Sequence, residues 1–336
     1  MTDARHPGLT DRFGREHRDL RISLTDRCSL RCTYCMPAEG VPWLQKDTML
    51  STDEIVRVAR VAVEMGVDEI RLTGGEPLLR ADVVDVVDRL ARLEGPAGRP
   101  ELSLTTNALR LPALASRLRD AGLERVNISL DTLDRTRFHE LTRRDKLVET
   151  LAGIAAADAA GLSPIKINAV AMRGVNDDEI VSLTQFCVDH GYQMRFIEQM
   201  PLDAGHTWDR QQMVTGEEIL AQLTERWTLT ERGDRGAAPA QVWDIAGTEA
   251  SVGVIASVTR PFCGTCDRVR LTADGQLRAC LFARQESDLR ALMRGGADDA
   301  ALAAAVAACL QLKQPGHDID DPSFLQPDRP MSAIGG

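Results

Sequence analysis

Between residues 19 and 200 the chain switches repeatedly between two hydrophobic rhythms. Short runs at 20–24, 68–73, 101–105, 125–130, 164–170 and 192–198 read as β-strands. In the stretches between them apolar residues return at helical spacing, as at Ile55, Val58, Ala59, Ala62 and Val63. Ser51 or Thr52, followed by Glu54, is placed to cap that first helix. Further helices are expected over 81–93, 111–121, 146–160 and 177–190. Strands alternating with helices predict an α/β fold with a parallel sheet and helices outside it. Six strands are fewer than the eight of a closed barrel, which favours an incomplete (βα)6 TIM-like barrel over a doubly wound sheet.

After Met200 the rhythm breaks. A polar loop over 201–214 precedes a helix near 215–223 and short strands at 241–245, 251–257, 269–272 and 276–279. Asp274 and Gly275 form a good hairpin turn between the last two. Three parts are expected: a polar, mobile arm over 1–18, a barrel over 19–214, and a smaller C-terminal region over 215–336. Its Pro- and Asp-rich segment 315–330 reads as a loop or mobile tail.

Charge narrows the function classes. A formal net charge of -10 over 336 residues argues against general binding of nucleic acid or an anionic membrane, and no apolar run is long enough to span a bilayer. Residues 1–7 carry no hydrophobic segment of a secretory signal, so a cytoplasmic location is expected. The eight cysteines do not look like a disulfide framework, because six of them fall in two tight groups. Cys187 and Cys309 stand alone and read as buried helical thiols.

The first group is Cys28, Cys32 and Cys35, spaced C-x3-C-x2-C with Tyr34 before the last. Structural zinc sites close with four ligands, whereas three thiolates can hold an iron–sulfur cube with one iron open. The nearest further ligands, His6 and His17, lie upstream. The second group is Cys263, Cys266 and Cys280, again three, with Cys309 or His317 as distant candidates to close it. Gly74-Gly75-Glu76-Pro77 after the second strand reads either as a tight turn or as a backbone surface facing a ligand, with Glu76 or carbonyls accepting from an ammonium group. Arg268 and Arg270 share one face of a strand, and Arg21, Arg71 and Lys166 sit inside strand patterns. Cations concentrated inside the barrel of an acidic protein point to a polyanion such as a triphosphate.

These motifs resemble those of the radical S-adenosylmethionine (SAM) enzymes, and among them the GTP 3′,8-cyclase family of molybdenum cofactor biosynthesis. The likeness runs over nearly the whole chain. It includes the first cysteine group, Arg-Leu-Thr-Gly-Gly-Glu-Pro at 71–77, Thr-Thr-Asn at 105–107, Asn-Ile-Ser-Leu-Asp at 127–131, 195–200, the second cysteine group with Cys-Leu-Phe at 280–282, and the terminal Gly335-Gly336. The resemblance implies two [4Fe–4S] clusters, on Cys28, Cys32 and Cys35 and on Cys263, Cys266 and Cys280, with the open iron of the second facing the guanine. It implies SAM contacts from Tyr34, Gly75, Ser129 and Met200. GTP contacts would come from Arg21, Arg71, Thr105, Lys166, Arg195, Arg268, Val269 and Arg270, and the Gly-Gly tail would complete the site. No side chain is assigned as an acid or base: a 5′-deoxyadenosyl radical takes the 3′ hydrogen of the GTP ribose, and the carbon radical attacks C8. The resemblance also implies an external electron donor and cyclic pyranopterin monophosphate synthase as the downstream partner, and leaves a homodimer open. Asp267 and Glu69 depart from residues common in the family, which bears on the phosphate pocket. Two rivals are a two-cluster radical SAM enzyme that modifies a peptide, and a zinc-binding interaction protein without catalysis.

Overall fold

The computed structural model describes residues 8–322 and 324–335. The alternation expected from sequence is realised as β1 (Asp19–Ser23), α1 (Thr52–Glu64), β2 (Glu69–Thr73), α2 (Val83–Ala91), β3 (Glu101–Thr106), α3 (Leu111–Asp120), β4 (Arg125–Ser129), α4 (Arg135–Thr142), α5 (Leu147–Ala159), β5 (Ile165–Ala171), α6 (Ile180–His190) and β6 (Gln193–Glu198). Strands β1 to β6 lie side by side and parallel, the incomplete (βα)6 barrel. Ser51 caps α1 in a reciprocal box: its hydroxyl accepts from the Glu54 amide, and the Glu54 carboxylate accepts from the Ser51 amide.

The chain continues with α7 (Gly216–Arg226), β7 (Leu229–Glu231), β8 (Gln241–Ile245), β9 (Ser251–Ile255), β10 (Arg268–Leu271), β11 (Gln276–Arg278), β12 (Ser287–Asp288), α8 (Leu289–Arg294), α9 (Asp299–Gln311) and the single turn α10 (Met331–Ile334). These strands extend the barrel sheet at both edges. β9 pairs parallel to β6, and β10 pairs parallel to β1, giving one 12-stranded sheet in the order β12-β11-β10-β1-β2-β3-β4-β5-β6-β9-β8-β7.

Strand alternation separates two environments. Leu20, Ile22, Ile70, Leu72, Leu102, Leu104, Val126, Ile128 and Ile167 are buried in the core. Each such side chain stabilises the fold by about 2 kcal/mol. The intervening residues, among them Arg21, Arg71, Asn127 and Lys166, line the cavities inside the barrel.

The N-terminal end differs from the sequence expectation, whereas the described residues of 315–330 form a loop as expected. Residues 1–7 lie outside the described residues, but 8–18 are packed rather than free: Leu9, Asp11, Arg15 and His17 are buried. Arg15 donates to the carbonyls of Cys263 at 2.6 Å and Gln314 at 2.9 Å. Polar residues can be buried here because each finds a partner. At the other end, the Met331 amide donates to the Leu202 carbonyl, and the Ser23 hydroxyl donates to that of Ile334. The tail thus returns to the mouth of the barrel.

Candidate active site

Past β1 the chain forms the first cysteine loop. The amides of Cys35 and Met36 both donate to the Cys32 carbonyl, at 2.9 and 3.0 Å, which folds the loop into a tight turn. The amides of Arg31 and Thr33 donate to the carbonyls of Thr142 and Leu141, so the end of α4 braces the loop. Burial raises all three thiols, and nearby negative charge adds to it: Cys35 is pushed up to about 12 by burial and then by Cys28, Cys32 is raised well above its ordinary value by burial and then by Asp131, Cys35 and Cys28, and Cys28 is raised by burial with Glu76 adding to it. Buried thiols that oppose each other's ionisation suit a cationic centre that would relieve them. Among the described residues no three His, Cys, Asp or Glu side chains gather tightly around one point as ligands of a single ion do. The thiolates of a cube bind separate irons and need not meet at one point.

The Gly-Gly-Glu-Pro turn packs directly on this loop. A Cβ on Gly75 would stand 2.4 Å from the Arg27 carbonyl oxygen and 2.5 Å from that of Asp26, so only glycine fits. The Gly75 amide donates to the Thr25 carbonyl, and the Glu76 amide to that of Arg27. Glu76 is not available to a ligand's ammonium group. It is buried, and its carboxylate accepts from Thr106 Oγ1 at 2.7 Å, the Asn107 amide at 2.8 Å and the Leu78 amide at 3.0 Å. Glu76 therefore ties the ends of β2 and β3, which leaves the main chain of this turn as the surface that could face a ligand.

Tyr34 reaches across the mouth and donates to Asp131 Oδ2 at 2.8 Å, while Asp131 Oδ1 accepts from the Val170 amide. Ser129 ends β4, in register with Asn168 on β5. Met200 follows β6 and lines the cavity below. The tail joins them: a Cβ on Gly335 would stand 2.2 Å from Ser23 Oγ and 2.8 Å from Thr73 Cγ2, so its approach also requires glycine. Gly336 lies outside the described residues.

Cys263, Cys266 and Cys280 line a cavity of about 180 Å³ together with Arg21, Arg71, Arg268 and Arg270. Burial and the neighbouring Cys280 and Cys266 push the Cys263 thiol up to about 11. Cys266 goes the other way. Burial opposes its charge, but Arg268 and Lys313 outweigh burial and bring it down to about 6. The distant fourth ligands do not close this set. His317 uses both ring nitrogens, Nε2 on the Ser257 carbonyl at 2.7 Å and Nδ1 on the Ile319 amide at 3.2 Å. Cys309 is buried on α9 and faces the Leu277 carbonyl. His17 lies near the second cysteine group rather than the first, and His6 is outside the described residues.

The cations form a row. Arg270, Arg21, Arg71, Ser103 and Arg125 are in register across β10, β1, β2, β3 and β4. Lys166 and Arg195, on β5 and β6, continue into a neighbouring chamber of about 380 Å³ that shares Arg71 and Asn168 with the first cavity. Burial, and then Arg125, Arg195 and Arg71, lowers Lys166 to about 8; burial, and then Arg268, lowers Arg270 to about 10. Arg125 Nη1, Asn127 Nδ2, Arg268 Nε and Arg270 Nε are buried donors without a partner in the protein. Buried unpaired donors of this kind are costly unless an anion meets them. Asp19, Glu69 and Asp267 face the same chamber and offset part of the charge. Thr105 also reaches the cavity, but Val269 does not: its side chain is in the core, so only its main chain could face a ligand. Arg125, Asn127 and Asn168 escaped the sequence reading. Arg125 and Asn127 have the same i, i+2 spacing as Arg268 and Arg270 and could have been found by it.

Two family descriptions match the chain, the radical SAM superfamily over residues 22–187 and Molybdenum Cofactor Synthesis C over 192–319. The GTP 3′,8-cyclase of Streptomyces coelicolor A3(2) is 55% identical over 98% of this chain and 96% of its own length. That of Corynebacterium glutamicum ATCC 13032 is 54% identical over 98% of this chain and 89% of its own. Among solved structures, Streptococcus suis SuiB bound to S-adenosylmethionine is 15% identical with a TM-score of 0.57, covering 81% of this chain, which spans 63% of SuiB. Native anSMEcpe with bound AdoMet is 13% identical with a TM-score of 0.58, over 92% of this chain and 93% of its own. At these identities the structures speak for the shared fold. Among the described residues no helix is long and apolar enough to cross a membrane. By its full-length identity to these cyclases and its two matching domains, the chain belongs to the GTP 3′,8-cyclase family of the radical SAM superfamily.

Proposed function

We propose that the chain converts GTP to (8S)-3′,8-cyclo-7,8-dihydroguanosine 5′-triphosphate, the first step of molybdenum cofactor biosynthesis, in the cytoplasm. The observation that carries this reading is the single lumen in which Cys263, Cys266 and Cys280 face the registered arginine row. A cavity with thiolates at one end and unpaired cationic donors along its wall suits a base at the first and a triphosphate along the second. Cys28, Cys32 and Cys35 would hold the cluster that binds SAM, and Cys263, Cys266 and Cys280 the second cluster. SAM bound at the first would supply a 5′-deoxyadenosyl radical.

The chain's own residues position and exclude. The main chain at Gly75 and the side chains of Tyr34, Ser129 and Met200 would seat SAM at the C-terminal ends of the strands. Arg21, Arg71, Lys166, Arg195, Arg268 and Arg270 would orient GTP, with Thr105 and the Val269 main chain beside it. The returning tail, through Gly335, would close the mouth and keep water from the reacting carbon. An external electron donor and a downstream cyclic pyranopterin monophosphate synthase complete the proposed setting.

The test is anaerobic. The chain is reconstituted with iron and sulfide, its iron is counted, and it is incubated with SAM, GTP and a strong reductant. About eight irons per chain, with 5′-deoxyadenosine formed in step with a cyclised GTP, is the expected result. SAM cleavage with GTP unchanged would redirect the substrate assignment. Zinc uptake without iron would overturn the enzyme.

A further inference from the structure

Behind the second cysteine group stands a buried chain of polar residues that no part of the proposed reaction uses. Lys313, just past α9, is only 3% exposed. Its ammonium contacts three groups: the Arg268 carbonyl at 2.9 Å, Cys266 Sγ at 3.4 Å and His17 Nδ1 at 3.4 Å. His17 is 2% exposed and turns its other nitrogen, Nε2, to Asp11 Oδ2 at 3.1 Å. Asp11 is fixed in turn by the Arg15 guanidinium at 2.6 Å and by the amides of Phe13 and Arg15. The four residues Asp11, His17, Lys313 and Cys266 thus come from the N-terminal segment, the end of the last long helix and the second cysteine group.

The geometry assigns each member a role. An ammonium has three N–H donors and no acceptor, so His17 Nδ1 and the Arg268 carbonyl take two of them and leave the third for the sulfur. His17 can accept at Nδ1 only if its proton is on Nε2, and Asp11 holds it there. Arg268 Nη2 also donates to Cys266 Sγ, at 3.1 Å, so this thiolate receives two cationic donors. Donors to the sulfurs of an iron–sulfur cluster, and positive charge beside it, favour the state with the extra electron.

We propose that Lys313, oriented by His17 and Asp11, is a positioning residue for the second cluster. With Arg268 it holds Cys266 between two cationic donors and sets the cluster's reduction potential above the value it would otherwise have. This rests on the assignment of Cys263, Cys266 and Cys280 as that cluster's ligands.

The experiment isolates the second cluster in the full chain by replacing Cys28, Cys32 and Cys35 with Ala. After anaerobic reconstitution, iron is counted and the midpoint is read by redox titration with electron paramagnetic resonance. In this background about four irons are expected. An iron count of zero overturns the ligand assignment, and the lysine's role with it. Lys313→Met is expected to retain the cluster and titrate at a distinctly lower potential. Lys313→Gln keeps an N–H donor without the charge and is expected to fall between, and His17→Phe is expected to shift the midpoint in the same direction by less. A normal iron count with an unchanged midpoint in Lys313→Met reduces Lys313 to a structural group and overturns the proposal. If Lys313→Met takes up no iron, Lys313→Gln and His17→Phe decide, and wild-type midpoints in both overturn it.

Discussion

Arg329 grips Asp274 with both terminal nitrogens, at 2.8 and 3.1 Å, while its Nε lies 2.9 Å from Glu286. Burial acts to raise Asp274, but the Arg329 and Thr272 hydrogen bonds prevail and hold its carboxyl below the usual range. The pair pins the polar tail to the hairpin between β10 and β11, two residues before α10 returns the chain to Ser23. Arg329→Ala should cost on the order of 2 kcal/mol in urea denaturation, as hydrogen bonds between charged partners do when one is removed. It should also speed proteolytic cleavage of the tail while the barrel stays intact. An unchanged cleavage rate would place the restraint on the Ser23 and Leu202 contacts instead.

Gly75 is constrained from outside rather than by its own backbone freedom, because two carbonyl oxygens stand within 2.5 Å of where a Cβ would go. Gly75→Ala must push the cysteine loop away from β2, at about 1–3 kcal/mol of overpacking. The expected result is a folded chain that reconstitutes the second cluster and loses most of the iron of the first. Full iron with normal SAM affinity would show that the loop can yield.

Lys166 titrates near 8, lowered by burial and then by the neighbouring Arg125, Arg195 and Arg71. An anion in the lumen favours its charged form, so GTP should bind most tightly below about pH 8 and more weakly as pH rises through it. Lys166→Met should weaken GTP by roughly 10- to 100-fold at pH 7, the range for losing one charged hydrogen bond, and should flatten that pH dependence. Guanosine affinity should barely move. Equilibrium dialysis with both ligands decides, and equal losses for the two would remove Lys166 from the phosphate site.

His17 gives a pH signature of stability. Burial, and then the charge of Lys313, depresses it from 6.5 to about 4, with Asp11 opposing. A depressed histidine contributes stability that is present above its unfolded value and lost as pH falls through 6.5 towards 4. Between pH 7 and pH 5 that loss comes to about 2 kcal/mol. Asp131, raised to about 6 by burial, runs the opposite way over an overlapping range, because its contribution is lost as pH rises through 6. The measurement is therefore a difference in the metal-free chain: acidification from pH 7 to pH 5 should destabilise wild type by about 2 kcal/mol more than His17→Gln. Parallel curves would mean that His17 titrates normally.

The barrel was legible because its strands keep apolar residues on one face, so each βα unit announces itself locally, as in Leu20 and Ile22 around Arg21. Cys28, Cys32 and Cys35 were legible for the same local reason. What escaped the sequence depends on distant partners. The helix around Cys309 is expected from the sequence, but the bounds of α9 are not, because the segment is so rich in alanine that no polar face marks it, and α4 shows its purpose only where Leu141 and Thr142 meet the cysteine loop. β9 and β10 look like ordinary hairpin strands until Val252 is set against Met194 and Val269 against Leu20. Asp11 and His17 read as a solvated arm, because burial of polar residues is visible only with their partners in place. Lys313 was only one of four lysines until its ammonium was seen beside Cys266.

The two-edged sheet has a consequence for the order in which this chain can be made. A chain leaving the ribosome releases β1 to β6 first, and neither edge of that set has a neighbour yet. The β6 edge waits for residue 251 and the β1 edge for residue 268, about four-fifths of the way along the 336 residues. Until then the arginine row on β1 and β2 has no Arg270 beside it, and the first cysteine loop has no tail above it. The nascent protein therefore passes through a long interval with open strand edges, in which pairing with another chain competes with completion.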